Sequence, residues 1–159
     1  MFGSLAACGA PEPAPPSSPE PAAWVVTESG AGPIRIGMTA AEIAGHVERL
    51  GELEECVYAR APEAPGLLIM LVDGKVARLD VIEPSLATAA GARVGDTEAR
   101  IHELYRGRTR VEPHKYTDGH YLVVDAVPGR RFVFETDGTR VTRYRSGAIP
   151  QVDWVEGCS

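Results

Sequence analysis

The sequence of 159 residues has no run of about 18 apolar residues, and therefore no segment with the length and hydrophobicity of a transmembrane helix. It also has no serine in a Gly-x-Ser-x-Gly nucleophile elbow. Gly30-Ala31-Gly32-Pro33 is not followed by the Lys-Ser or Lys-Thr of a phosphate-binding loop. Paired carboxylates such as Glu54-Glu55 are typical of a charged loop. Because no motif of catalysis stands out, we predict a protein that is not an enzyme and has no cofactor.

Positive charge is scarce over the whole chain, and it is unevenly distributed. The formal net charge is −6; residues 1–84 contain five Lys/Arg against twelve Asp/Glu, and residues 85–159 contain eleven against ten. A net negative charge is not typical of a nucleic-acid-binding protein, which needs positive charge to bind phosphates. The second half does contain an arginine-rich set with aromatic residues, formed by Arg130, Arg131, Phe132, Arg140, Arg143, Tyr144 and Arg145. Its flanking acidic residues argue against nucleic acid, and we expect no such partner.

Cysteine is rare as well, with three in the chain. Cys8 ends the tetrapeptide Leu5-Ala6-Ala7-Cys8, which resembles the bacterial lipobox, where the cysteine is cleaved and lipidated. The basic and most of the apolar region of a signal peptide are missing before it. The resemblance implies an exported lipoprotein of the bacterial cell envelope, anchored to a membrane through Cys8. The alternative is a stray cysteine in a disordered leader. We assign residues 1–8 to a partial lipoprotein signal.

Proline is concentrated in one segment near the start of the chain. Residues 9–23 contain six prolines, a composition that favours an extended, polyproline-like conformation. We therefore predict that residues 9–30 form a disordered tether ahead of the folded part.

The other two cysteines, Cys56 and Cys158, form one possible pair. A bridge between them would close a loop of about 100 residues, worth on the order of 4–5 kcal/mol in the chain-entropy model. Such a bridge is typical of an exported protein. Two buried free thiols are the alternative.

Two short sequence motifs, which we call phrases, each occur twice along the chain and in the same order. Residues 35–43 (Arg-Ile-Gly-Met-Thr-Ala-Ala-Glu-Ile) are similar to residues 93–101 (Arg-Val-Gly-Asp-Thr-Glu-Ala-Arg-Ile), and an Asp-Gly pair begins a second similar phrase at 73 and at 137. This pattern predicts two repeats, residues 31–84 and 85–159, that bury their apolar faces together.

Each predicted repeat begins with a helix that a threonine caps. Thr39 and Glu42 have the spacing of a capping box, and Thr97 holds the same position without a glutamate. In the first helix Ile43, Val47 and Leu50 form one apolar stripe. Strands are predicted at 55–60, 67–72 and 75–82 in the first repeat, and at 109–116, 120–126, 130–136, 139–146 and 152–155 in the second.

These elements predict an α+β fold in which two degenerate helix-plus-antiparallel-sheet repeats form one sheet with the helices on one face. Side chains alternate between the two faces of a strand. Alternation therefore places Arg78, Arg143 and Arg145 on the face away from the helices, which we expect to be partly open.

The phrase Gly37-Met38-Thr39-x-x-Glu42-Ile43 and the later Val72-Asp73-Gly74-Lys75-Val76 resemble the outer-membrane assembly lipoproteins of the SmpA/OmlA type. The tandem arrangement resembles the β-lactamase inhibitor protein fold, in which two units form one concave sheet. The resemblance implies a non-enzymatic protein that presents a sheet face or loops to a protein partner. Asp96 replaces the methionine in the second phrase, and the capping glutamate is absent there.

Residues 113–121 form the densest polar cluster. His114, Asp118 and His120 would supply metal-ligating atoms if they faced alike. A two-residue turn at Asp118-Gly119 would separate the histidines by roughly 10 Å along the ladder and place them on opposite faces, too far apart for one ion. We therefore predict a contact surface in which Tyr116 and Tyr121 join the histidines.

The sequence as a whole predicts a non-catalytic envelope lipoprotein that acts as a protein-interaction, assembly or inhibitor-like module for an unidentified envelope protein. The expected contact surface comprises Arg78, Arg143, Arg145, His114, Tyr116, His120 and Tyr121. An envelope metal-dependent enzyme and a small-molecule or glycan-binding module are the alternatives.

Overall fold

A computed structural model describes residues 24–52 and 54–159. The strands are β1 Val25–Thr27, β2 Gly30–Ala31, β3 Ile34–Arg35, β4 Glu48–Arg49, β5 Cys56–Arg60, β6 Leu67–Val72, β7 Lys75–Val81, β8 Ala87–Thr88, β9 Thr109–Pro113, β10 His120–Val127, β11 Arg130–Thr136 and β12 Val141–Ala148. The helices are α1 Ala40–Ile43 and α2 Glu98–Leu104, and a 3-10 helix spans Gln151–Asp153.

The strands form two sheets. The larger sheet has eight antiparallel strands in the order β4-β5-β6-β7-β12-β11-β10-β9. The smaller sheet has the order β3-β2-β1-β8 and is mixed, because β1 pairs with β8 in parallel and with β2 antiparallel. The strands β7 and β12 join the two halves of the larger sheet at its centre.

The long strands follow from the sequence pattern. β6 and β11 have the predicted bounds, and the Asp73-Gly74 pair forms the predicted tight turn between β6 and β7. Asp73 has a φ of 49° and Gly74 a φ of 72°, the positive values that a type I′ turn requires at both central positions. The predicted strand at 152–155 is wrong, because residues 151–153 form a 3-10 helical turn.

The helices are much shorter than the sheet. Thr39 accepts a hydrogen bond from the Glu42 backbone, and the Glu42 side chain accepts one from the Thr39 backbone, so the predicted capping box is confirmed. However, α1 ends at Ile43, close to Gly45, which disfavours a helix interior. Residues 48–49 pair with β5 instead of continuing the helix, and Leu50 is exposed.

The predicted fold class is wrong. Strands account for 44% of the described residues and helical segments for 10%, so the fold is mainly β and is not an arrangement of two helix-plus-sheet repeats. The likeness between the two phrases is local: in each, a threonine caps a short helix and the preceding glycine donates a hydrogen bond to a strand carbonyl, Gly37 to Val76 and Gly95 to Val141. The smaller sheet has no counterpart in that prediction.

The lipobox at Cys8 and the predicted tether over residues 9–23 lie outside the described residues. The last part of the predicted tether, residues 24–30, is folded, because β1 and the start of β2 belong to the smaller sheet.

The larger sheet has two faces of different character. On the first, which we call the core face, one apolar cluster joins the smaller sheet, both helices and the larger sheet; its fully buried members include Val26, Ile43, Ile101, Leu122 and Phe134. The opposite face is covered by residues 150–158, which we call the strap, and we name it the strap face. Val152 of the strap packs there on Tyr121, Val123 and Val133.

Candidate recognition surface at the strap face

Arg78 is the centre of the first buried ionic group on the strap face. Its guanidinium forms two hydrogen bonds with the Asp80 carboxylate, of 2.8 Å from Nε and 2.7 Å from Nη2. Nη1 donates to two strap carbonyls, at 3.1 Å to Gln151 and at 2.5 Å to Trp154. Burial alone would lower the pKa of Arg78, but the hydrogen bonds and charge of Asp80 outweigh it and raise this pKa. Arg78 therefore stays charged and holds the strap.

Arg145 forms the second buried group, one strand away. Its Nη1 donates to the Glu135 carboxylate, and its Nε donates to the Val152 carbonyl of the strap at 2.5 Å. Glu135 also lies 3.6 Å from His114 Nε2 and 3.5 Å from Arg143 Nε. The two buried arginines together donate hydrogen bonds to three backbone carbonyls of the strap, those of Gln151, Val152 and Trp154.

These contacts correct the prediction of an open face. Alternation does place Arg78 and Arg145 away from the helices, but they are only 4% and 2% exposed. The strap covers them, and their donors are already used by carboxylates and strap carbonyls. The side chain of Arg143, by contrast, is 55% exposed. Of the three predicted arginines, Arg143 is the one that a partner can reach directly.

The strap is also held by a disulfide bond and by an ion pair with β11. Cys158 is bonded to Cys56 at the start of β5, with 5.4 Å between the two Cα atoms, which confirms the predicted bridge. Asp153 accepts a hydrogen bond of 3.0 Å from Arg131 on β11. A disulfide between distant parts of a chain indicates an exported protein, because cytosolic thiols are kept reduced.

The two histidines of the 113–121 cluster have separate environments. The β9–β10 ladder begins at Pro113 and His120, so the predicted two-residue turn is wrong and residues 114–119 form a longer loop. His114 stacks on Tyr121 with 4.5 Å between ring centroids, beneath the loop and beside Glu135. His120 lies on the other side, with Nδ1 at 2.8 Å from Glu98 Oε1. The histidines therefore do not converge on one ion, and Asp118 is exposed in the loop.

Glu98 is part of a small polar group at the start of α2. Its carboxylate accepts hydrogen bonds from Thr136 Oγ1 and from His120. Burial alone would raise the pKa of Glu98, but these two hydrogen bonds outweigh it and lower this pKa below its ordinary value of 4.5. Within residues 24–52 and 54–159, no group of three or more His, Cys, Asp or Glu residues is arranged to hold a metal ion.

An exposed surface lies where the 114–119 loop meets the strap. Tyr116 is 61% exposed, and its hydroxyl hydrogen-bonds to Glu156 of the strap. Lys115 Nζ is 2.7 Å from the same carboxylate, and Trp154 is exposed two residues earlier. Arg143 adjoins this surface through Glu135 and His114. We call the set Lys115, Tyr116, Arg143, Trp154 and Glu156 the recognition rim.

The sequence pattern predicts part of this surface. Tyr116 and Arg143 were among the predicted contact residues and are exposed, whereas His114 and Tyr121 are mainly buried supports beneath them. Trp154 and Glu156 were missed. The pairing of Cys158 with Cys56 was the signal that could have located them, because it requires the last residues to cross the sheet.

Within the part of the chain that the structure describes, no helix combines the length and the hydropathy needed to cross a membrane.

No family model matches the sequence, and no curated protein matches it. Among solved structures, the fold is similar to the crystal structure of the uncharacterized protein YfeY from Escherichia coli, with a TM-score of 0.53. The alignment covers 77% of this chain and 99% of that chain, at 12% sequence identity. At this identity the likeness concerns the fold alone.

Proposed function

We propose that this exported protein is a non-catalytic recognition module that binds another protein of the cell envelope through the recognition rim. The observation that carries the proposal is the exposure of Tyr116, Trp154 and Arg143 on one surface above a buried ionic network. Tyr, Trp and Arg are the residue types that dominate binding energy at protein interfaces.

The rim residues are held in place before a partner arrives. Glu156 binds both the Tyr116 hydroxyl and the Lys115 ammonium group, and Glu135 lies beside Arg143. The backbone of the strap is in turn held by Arg78 and Arg145. Because Lys115 and Tyr116 are already joined to Glu156, ordering these side chains on binding costs less conformational entropy than it would on a mobile loop.

The resemblance of Gly37-Met38-Thr39 and its neighbours to the SmpA/OmlA-type lipoproteins supports a role in assembly or inhibition at the envelope, since those proteins present sheet faces or loops to partners. Arg78 and Arg145 then act from beneath the surface by fixing the strap, and Arg143 contacts the partner.

The test is affinity capture from envelope extracts with three variants. Arg143→Glu and Tyr116→Ala each remove an exposed side chain and should reduce capture of the same partner by about tenfold or more. Capture by the wild-type protein should also weaken as salt rises, because Arg143 and Lys115 are exposed charges.

Arg106→Glu is the matched control, because Arg106 is an exposed arginine on the segment after α2 and outside the rim. It changes the net charge by the same amount as Arg143→Glu. If both arginine variants lose the partner equally, general charge explains the binding. If neither Arg143→Glu nor Tyr116→Ala affects capture, the rim is not the interface.

We also propose that Cys8 carries a lipid that anchors the protein to the envelope membrane. The Leu5-Ala6-Ala7-Cys8 tetrapeptide followed by a proline-rich segment supports it. Palmitate labelling should mark the wild-type protein and not Cys8→Ser, and only the wild-type protein should sediment with membranes. Equal membrane association of both would exclude the anchor.

A further inference from the structure

Strand β9 is the last strand of the larger sheet. It pairs with β10 on one side, and no strand of residues 24–52 and 54–159 pairs with its other side. Unpaired strand edges are templates for pairing with another chain. The opposite edge of the sheet, β4, has two residues, whereas β9 has five. An added strand could therefore form a ladder on β9 much more readily than on β4.

The backbone pairing shows which groups of β9 point outward. His114 N–H donates to the Gly119 carbonyl at 3.0 Å, directly beyond the pair Pro113 and His120. Along an antiparallel strand, a residue whose backbone N–H and C=O point toward one neighbouring strand is followed by a residue whose N–H and C=O point the opposite way. It follows that Arg110 and Glu112 direct their backbone groups toward β10. Thr109, Val111 and Pro113 direct theirs away from it.

The outward groups fit a second copy of the same strand. In an antiparallel pair centred on Val111, each Val111 N–H meets the other Val111 carbonyl, and each Thr109 N–H meets the other Pro113 carbonyl. Proline has no N–H, and in this register it needs only to accept. The outward backbone of β9 is thus complementary to itself.

The side chains of β9 are complementary in the same register. Arg110 stands opposite Glu112 of the second copy, and Glu112 opposite the second Arg110. In the monomer Arg110 pairs with Glu112 of its own strand and with Asp125, and the side chains of Arg110 and Glu112 are about half exposed. Opposite charges at directly facing positions stabilise a strand pair. On the other face the two Val111 side chains meet, and Val111 is 49% exposed in the monomer.

We propose that β9 pairs antiparallel with β9 of a second copy about a two-fold axis at Val111, so that the two larger sheets become one continuous sheet. This inference does not depend on the recognition rim or on its partner. A single strand pair buries little surface, so the dimer is weak in dilute solution. Two copies held on one membrane would form it more readily, because their effective concentration is higher.

Sedimentation velocity of the full chain over a wide concentration range tests the proposal. The wild-type protein should show a monomer–dimer equilibrium. Arg110→Glu and Glu112→Arg each place like charges opposite one another at both symmetric positions, and each should raise the dissociation constant about tenfold or more. The double variant Arg110→Glu/Glu112→Arg restores opposite charges and should recover most of the wild-type affinity. Circular dichroism of each variant establishes that the monomer is folded.

Cross-linking gives a second and independent measurement. In a Cys8→Ser background, Val111→Cys places two cysteines opposite each other across the proposed axis and should form a covalent dimer under mild oxidation. Glu103→Cys, exposed on α2, is the control and should remain monomeric. A protein that is monomeric at all concentrations overturns the proposal. The proposal is also overturned if both charge reversals leave the dissociation constant of the dimer unchanged and the Val111→Cys variant does not cross-link, since another surface must then form the dimer.

Discussion

The two faces of the larger sheet are stabilised in different ways. The core face is an apolar cluster in which Phe134 packs against Tyr105 and Tyr144, with ring centroids 5.6 Å and 5.3 Å apart. The strap face buries two arginines with their carboxylates and a covalently fixed segment. Apolar burial is non-directional and tolerates small changes of shape, whereas a buried ion depends on each of its partners. The stability of the core face therefore depends on close packing, and that of the strap face depends on the pairing of each buried charge.

Burial alone does not assign a residue of this protein to its apolar core. Arg78 and Leu79 are adjacent on β7, both are buried, and they face opposite sides. Replacing a buried ion pair by apolar residues is often neutral or stabilising, so the ionic side is not explained by stability. Its directional hydrogen bonds do fix the position of the strap, and with it the recognition rim.

The largest expected effect comes from Arg78→Met. This change leaves Asp80 buried without its partner and frees the Gln151 and Trp154 carbonyls, so it should reduce the free energy of unfolding by about 4 kcal/mol. Urea unfolding followed by circular dichroism measures the loss. The double variant Arg78→Met/Asp80→Leu removes the uncompensated charge and should recover most of it.

Leu79→Ala is the matched variant on the core face. It should cost about 3 kcal/mol through lost apolar contacts and a cavity, and no second substitution at a charged residue should restore it. If Arg78→Met cost less than about 1 kcal/mol, the two faces would not differ as described.

The second effect in size comes from removal of the disulfide. Cys56 and Cys158 are separated by 102 residues, so replacing both with serine should reduce the free energy of unfolding by about 3 kcal/mol, a typical value for a disulfide and smaller than the chain-entropy model gives for a loop of this length. Reductant should lower the stability of the wild-type protein to that of the variant and leave the variant unchanged. A variant as stable as the oxidised wild-type protein would show that the ionic contacts alone hold the strap.

The smallest effect concerns Glu98, a carboxylate at the start of α2 whose pKa is lowered. Glu98 is stabilised as an anion by Thr136 and His120, so its contribution is present above pH 4.5 and disappears as the pH falls through its lowered pKa. Glu98→Gln should remove up to about 1 kcal/mol of the stability lost between pH 6 and pH 3. Identical acid unfolding curves for variant and wild-type protein would contradict this.

Much of the larger sheet could be predicted because its strands carry strong local patterns. The six apolar residues of β6, the Asp73-Gly74 turn and the Thr39–Glu42 capping box are all signals within a few residues of one another. The smaller sheet gave no such signal, since its strands have two or three residues each. Its register depends on tertiary contacts that a linear pattern does not contain.

The candidate surface was predictable only in part, for a related reason. Alternation gives the side of the sheet on which Arg145 lies, and it gave that side correctly. It does not show whether another segment covers that side. The stripe of Ile43, Val47 and Leu50 predicts a longer first helix than the structure has. The apolar pattern does not show that residues 48–49 pair with β5 at the edge of the sheet instead of forming a helix.

The position of the two bridged cysteines along the chain also sets an order of events during biosynthesis. Cys56 leaves the ribosome 102 residues ahead of Cys158, by which time every strand of the larger sheet has been made. In an exported chain, the Cys56–Cys158 bond therefore forms only after the last strand of the larger sheet and residue 158 have been made. The oxidised form marks a polypeptide whose residue 158 has been translated and has reached an oxidising compartment.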